Sequence, residues 1–246
     1  MSRYFVKFSY NGTAYHGWQK QPNGITVQEL LDKALSMIAG EEISTTGAGR
    51  TDAGVHAKTM YAHFDAVSWV PDGNSVYKLN RILPPDICVY DVMQVADDAN
   101  ARFDAKNRTY EYWLSTNKNP FLLGLADFES FDFDFEAMNE AASKLLTYTD
   151  FTSFSKLHTD VKTNNCRVTR AEWACRGDGL YVFTITADRF LRNMVRAIVG
   201  TLFVVGRRKM TPGQFCEIIE AKDRCKAGTS APAEGLYLVD VKYDYL

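Results

Sequence analysis

The chain has 246 residues, 46% of them hydrophobic, and a formal net charge of −2, enough for one large domain or two small ones with a substantial core. Its longest apolar run, Ala197 to Val205, is about half of the roughly 20 residues that a membrane-spanning helix needs. The N-terminus alternates polar and apolar residues and lacks the apolar h-region of a signal peptide. The five cysteines are odd in number, widely spaced and without a C-x-x-C, as reduced cytoplasmic thiols are. Four histidines without ligand spacing predict no metal site. The weakly acidic total leaves a nucleic-acid partner open, because clustering of basic residues matters more than their sum.

In chain order, Arg3 to Tyr10 reads as a strand and Asn11-Gly12 as a turn. The loop from Thr13 to Gly24 is rich in aromatic residues. Thr26 is the expected N-cap of a helix, with Glu29 completing a capping box. Val27, Leu30, Leu31, Ala34, Leu35 and Ile38 form its apolar face, and Gly40 ends it. A strand near Ile43 leads into a glycine-rich loop, and a second strand runs from about Thr59 to Asp65. A helix from about Asn74 to Ile82 stops before Pro84-Pro85, and a strand covers Ile87 to Val95. The second half repeats this order. It has a strand from Arg108 to Ser115 and a helix from Phe135 to Leu146 behind Asp134. A hairpin of Cys166 to Cys175 and Leu180 to Ala187 follows, then a helix from Phe190 to Val205, closed by Gly206. An added helix starts at Thr211-Pro212 and reaches about Ala221, and a last strand runs from Leu236 to Tyr243. The order β-α-β-β-α-β, met twice, predicts an α+β fold of two ferredoxin-like halves, residues 1–105 and 106–246. The halves are expected to form a continuous, mostly antiparallel sheet with helices on one side and an active-site cleft between them.

Three stretches carry candidate chemistry. The first is Gly47-Ala48-Gly49-Arg50-Thr51-Asp52-Ala53-Gly54-Val55-His56-Ala57. Its glycines admit a ligand close to the main chain. Arg50 and Asp52 stand two positions apart and face the same way in an extended or turning backbone. The stretch is either a turn with a surface ion pair or a loop turned to a substrate. A two-carboxylate glycosidase needs a partner for Asp52 from elsewhere in the fold. No Cys/His pair or Gly-x-Ser-x-Gly supports a hydrolase triad. The zinc-deaminase pattern and the P-loop are both absent. What remains is metal-free, cofactor-free chemistry by one ionised carboxylate held beside arginine. The second stretch is Arg108-Thr109-Tyr110-Glu111-Tyr112-Trp113, where strand period puts Tyr110 and Tyr112 on one face with Arg108. They either fill a core or offer a stacking surface for a base. The third runs from Arg189 to Lys209, with six basic residues and no acidic one. Arg189, Arg192 and Arg196 recur at helical spacing, and Arg207, Arg208 and Lys209 follow. The run is either a solvated face or a phosphate-tracking patch, in which Arg192, Arg207 and Arg208 are candidate contacts to an RNA backbone.

Together these stretches resemble the tRNA pseudouridine synthase A family. The resemblance is carried by Tyr10-Asn11-Gly12-Thr13, Gly17-Trp18-Gln19, Gly47 to Ala57, Arg102-Phe103 and Arg108 to Tyr112. It continues in Asp150 to Phe154, Met194-Val195-Arg196-x-Ile198-Val199-Gly200, Ala221 to Arg224 and Glu234 to Leu238. Asn11 departs from the pattern, which more often has Asp there. The resemblance implies isomerisation of uridine to pseudouridine at positions 38, 39 and 40 in the anticodon stem-loop of tRNA. It implies a cytoplasmic homodimer without a cofactor, a metal or a membrane partner. Asp52 matches the family's catalytic aspartate, a nucleophile at C1′ or a base at C2′. Tyr110 matches the tyrosine that stacks on the target base. Arg50 matches an arginine that fills the space of the flipped nucleotide, and Arg196 a basic residue that pairs with the aspartate. Two other classes stay open: a non-catalytic tRNA-binding module, and a carboxylate-dependent nucleoside hydrolase.

Overall fold

The computed structural model describes residues 1–156 and 163–246; His158 lies outside the described residues. By their packing these residues form two compact units. One is Met1–Lys106 with Tyr237–Leu246, and the other is Asn107–Leu236. The expected α+β class, with mostly antiparallel strands, is the class observed.

In the first unit β1 (Ser2–Tyr10), α1 (Val27–Ala39), β2 (Thr46–Gly47), β3 (His56–Ala66), α2 (Ser75–Ile82) and β4 (Ile87–Gln94) follow in the expected order. β1 lies between β3 and β4 and is antiparallel to both. Tyr4, Val6, Phe8 and Tyr10 of β1 alternate with Phe5, and all five are buried. Phe5 is covered from its own side by Tyr243 and Tyr245, edge-on at 5.4 and 6.1 Å. A strand buried on both faces loses the clean alternation of a half-exposed one, which explains the partial pattern in the sequence. Thr26 caps α1 by accepting from the Glu29 N–H at 3.4 Å, and Gly40 ends it at φ 68°. The Glu29 carboxylate pairs with Lys33 at 2.7 Å instead of closing a capping box. Val27, Leu31, Ala34 and Leu35 are the buried face. Full burial of each large side chain stabilises by about 1.5–3 kcal/mol. The strand expected near Ile43 is reduced to the two residues of β2, which pair only with Ala62 and His63 of β3.

The second unit contains β5 (Asn107–Ser115), β6 (Asp127–Phe128), α3 (Phe135–Lys144), β7 (Val168–Gly177), β8 (Leu180–Ala187), α4 (Met194–Gly206) and α5 (Pro212–Ala221). β8 lies between β5 and β7, antiparallel to both. The β7–β8 hairpin turns at Asp178-Gly179, with φ 53° and 77°. Two left-handed residues match the twist of the flanking strands. Asp134 caps α3 by accepting from the Ala137 N–H at 3.0 Å. Thr211 and Gln214 form a full capping box on α5. Tyr112, Phe183, Ile198, Leu202 and Phe215 are fully buried and centre the core.

One element starts later than its periodicity predicts. α4 begins at Met194, because Asn193 sits in the left-handed region at φ 65° and the residues before it form a turn. Asparagine tolerates that conformation, and no helix continues through it. Arg189 and Arg192 therefore lie off the helix, and the expected helical stripe of three arginines does not form.

The last strand, β9 (Leu236–Lys242), places Tyr237 and Leu238 parallel to His56 and Ala57 of β3. It takes the stretch of the β3 edge that the short β2 leaves uncovered. Among the described residues no helix is long and apolar enough to cross a membrane.

Candidate active site

The loop that carries Asp52 is fixed by its backbone. Ala48 N–H donates to the Tyr61 carbonyl at 2.8 Å, Trp18 N–H to the Thr51 carbonyl at 3.3 Å and Gly54 N–H to the Tyr15 carbonyl at 3.2 Å. Val55 N–H closes a turn onto the Asp52 carbonyl at 3.2 Å. The Tyr10 hydroxyl and Thr51 Oγ1 share a hydrogen bond of 2.9 Å. The bracing segment is itself anchored. Asn11 N–H donates to the Asp86 carbonyl at 2.9 Å, and the Tyr15 hydroxyl donates to the Asp86 carboxylate. Gly17 makes this fit possible. At φ 84° it holds a conformation that L side chains rarely adopt, and a Cβ there would stand 2.4 Å from the Thr51 carbonyl oxygen.

Within this frame Asp52 is partly exposed and Arg50 is exposed. His56, quoted above only as part of the motif, belongs to the frame. It is 1% exposed, its Nδ1 accepts from Gly12 N–H at 3.0 Å, and its ring stacks on Tyr237 at 4.5 Å. Main-chain bonds on both sides of Asp52 fix the backbone from which its carboxylate projects.

In the second unit the two tyrosines of β5 part company. Tyr112 is fully buried, and its hydroxyl donates to Asp127 Oδ2 at 2.9 Å. Burial, and then the Asp127 charge, push the Tyr112 hydroxyl far above the usual tyrosine range. Burial pushes the Asp127 carboxyl up to about 6 against the opposing bond from Tyr112. This is core filling with one satisfied polar pair. Tyr110, two residues earlier on the same face, is 9% exposed and meets Phe190 edge-on at 5.1 Å.

Arg196 stands in the first turn of α4 and donates through Nε to the Ala231 carbonyl at 2.8 Å. Arg192 is exposed, and its carbonyl accepts from Lys156 N–H at 3.2 Å. The end of the basic run is less bare than its sequence. Arg207 pairs with Glu129 at 2.7 Å and lies 5.5–6.0 Å from the ring centroids of Phe131, Phe133 and Phe203. Arg208 lies 3.6 Å from Asp134 and 3.7 Å from Asp132. The fold sets the acidic residues of 129–134 against a stretch that contains none of its own. Among the described residues no three His, Cys, Asp or Glu side chains are grouped to hold a metal.

The α+β fold thus holds a backbone-braced carboxylate loop in one unit and a strand tyrosine and a helix arginine in the other. The profile of a family described as tRNA pseudouridine synthase matches residues 7–104 and 141–244, and the chain belongs to that family of isomerases. A relative from Parabacteroides distasonis is 57% identical over 99% of this chain and 96% of its own. One from Bacteroides thetaiotaomicron is 58% identical over 99% and 91%. One from Acetivibrio thermocellus is 42% identical over 95% and 96%. Each of the three bears the name tRNA pseudouridine synthase A.

Proposed function

We propose that this chain isomerises uridine to pseudouridine at positions 38, 39 and 40 in the anticodon stem-loop of tRNA, working as a homodimer in the cytoplasm. The observation that carries the reading is the Asp52 loop: a partly exposed carboxylate whose neighbours Thr51, Gly54 and Val55 are all held by main-chain hydrogen bonds. Residues 1–105 supply that carboxylate, and residues 106–246 supply Tyr110 and the basic helix.

In this reading Asp52 opens the N-glycosidic bond, either by attack at C1′ or by removal of the C2′ proton. The released uracil turns and C5 bonds to C1′ as the Asp52 carboxylate leaves C1′ or the proton returns to C2′; the C5 proton then passes to solvent and N1 takes one up. The reaction is an isomerisation in which atoms and electrons balance within the substrate, so its stoichiometry calls for no cofactor. Tyr110 takes a face of the target base, worth about 1–3 kcal/mol by stacking. Arg50 occupies the space that the flipped nucleotide vacates. Extrusion of a base costs a few kcal/mol and is offset by contacts to the RNA backbone. Arg196 supplies positive charge to the reaction, and Arg192 and Arg208 meet phosphates. Arg207, held by Glu129 and three rings, serves the fold first.

The test is release of tritium from tRNA labelled at C5 of uridine, with analysis for free uracil. Tritium release without free uracil supports the synthase. Free uracil in proportion to turnover identifies a hydrolase, and neither product identifies a binding module.

A further inference from the structure

Arg196 is tied to one residue at two points. Its Nε donates to the Ala231 carbonyl at 2.8 Å, and its own carbonyl accepts from Ala231 N–H at 2.9 Å. Its direction therefore depends on where the segment 227–231 lies. That segment has no regular secondary structure, so no helix or sheet ladder fixes it.

Arg224 does so with its whole guanidinium. Nη1 donates to the Gly228 carbonyl at 3.1 Å and the Ala227 carbonyl at 3.5 Å, and Nη2 donates to Ser230 Oγ at 2.9 Å. The same Ser230 oxygen accepts from Asn193 Nδ2 at 2.6 Å, at the residue just before α4. Gly228 N–H donates to Thr201 Oγ1 at 2.9 Å. The segment lies directly on the helix, since a Cβ on Gly200 would stand 1.7 Å from the Thr229 carbonyl oxygen. Arg224 is seated by its own turn, in which Asp223 accepts from Cys225 N–H and donates its N–H to Ser153 Oγ, each at 2.9 Å.

All these bonds from Arg224 go to uncharged acceptors. A planar fork that spans two carbonyls and a hydroxyl imposes geometry that a point charge such as lysine does not. We infer that Arg224 is a positioning residue for Arg196, acting through the 227–231 segment, with Ser230 as the joint that Asn193 and Arg224 share. The inference rests on the role given to Arg196 above.

The experiment is a double-mutant cycle on the full chain with folded tRNA, read as single-turnover tritium release at saturating enzyme, beside thermal unfolding and tRNA affinity. Arg224→Gln is expected to lower the single-turnover rate roughly 10–100-fold, the scale of a small misplacement of a working group. Its tRNA affinity should stay within about threefold of wild type, as the Arg224 guanidinium is engaged by main-chain carbonyls and a hydroxyl of its own chain. Combined with Arg196→Lys, Arg224→Gln should add less than about twofold to the loss from Arg196→Lys alone, because both act on one group. Should Arg224→Gln unfold, Ser230→Ala carries the same cycle, since it spares the carbonyl bonds of Arg224. Losses that multiply in the double variant, or a single variant within about twofold of wild type, overturn the inference. A wild-type rate for Arg196→Lys alone is a different result: it removes the role given to Arg196, and this inference with it.

Discussion

Gly17 lies outside the motif that carries Asp52, yet the structure makes it a control point for that loop. An alanine there meets two separate costs. The first is conformational: a Cβ at φ 84° is strained by about 1–2 kcal/mol. The second is steric, since the new Cβ would stand 2.4 Å from the Thr51 carbonyl oxygen and 3.1 Å from the Asp52 carbonyl carbon. Contacts below 3.0 Å are not tolerated, so the Thr51 carbonyl oxygen must retreat by at least about 0.6 Å, and the Asp52 backbone bonded to it shifts with it. That retreat also stretches the 3.3 Å bond from Trp18 N–H to the Thr51 carbonyl. Gly40 provides the control. It has a similar φ of 68° but nothing within 4 Å of its Cβ position. Gly40→Ala therefore carries the conformational cost alone. The prediction is that Gly40→Ala loses about 1–2 kcal/mol in urea unfolding and Gly17→Ala loses more, by the added steric cost. Gly40→Ala should keep its turnover, and Gly17→Ala should lose about 100-fold in single-turnover tritium release, the scale of a displacement approaching 1 Å. Equal turnover by the two variants would refute the claim that the Gly17 contact sets the position of Asp52.

Other outcomes follow from the same structure. Asp52→Asn is nearly isosteric and leaves the main-chain frame in place, so pseudouridine formation should vanish while tRNA binding by filter retention persists; turnover within about tenfold of wild type would remove Asp52 from its role. Tyr110→Ala should cost about 1–3 kcal/mol of stacking, whereas Tyr110→Phe should bind well and turn over poorly only if the hydroxyl moves a proton. Wild-type rates for both variants would return Tyr110 to the core. Asp127, raised from an ordinary carboxyl to about 6 by burial, binds its proton more tightly folded than unfolded. Its burial therefore costs nothing below about pH 4 and costs of the order of 2–3 kcal/mol above about pH 6. The stability gap between Asp127→Asn and wild type should widen in favour of the variant as pH rises through that window, and a gap independent of pH would contradict the shift. Arg207→Ala should destabilise by about 1–2 kcal/mol through lost ion pairing and ring contact, and Arg208→Ala by less than about 0.5 kcal/mol. That makes Arg208→Ala the cleaner probe of the salt dependence of tRNA binding, whose slope it should flatten by roughly one unit.

Much of this molecule was legible in the chain because local physics dictates it. The caps at Thr26, Asp134 and Thr211, the stop at Gly40 and the hairpin at Asp178-Gly179 are decided by side chains within four residues of the backbone they satisfy. The element order, and with it the α+β class, followed from these signals and from the apolar spacing between them. The composition of the Asp52 loop left a surface turn and a substrate loop both open, and the stretch from Gly47 to Ala57 stood out by its resemblance to the family. What sequence spacing misjudged depended on partners far along the chain. The run from Phe190 to Val205 keeps helical period throughout, but Asn193 turns left-handed where its side chain meets Ser230, 37 positions away. The bare basic segment acquires Glu129, Asp132 and Asp134 only once β6 and the start of α3 are laid beside it. The strand expected near Ile43 shrinks to two residues, and residues of β9 almost 200 positions later pair at the other end of that β3 edge. Tyr110 and Tyr112 share a face and a residue type, and only packing separates Tyr112, fully buried and bonded to Asp127, from Tyr110, which keeps 9% exposure and meets Phe190 edge-on. Capping and turn chemistry act within a few residues, so the sequence alone determines them. Pairing, burial and charge neutralisation act between elements, so the tertiary structure decides them.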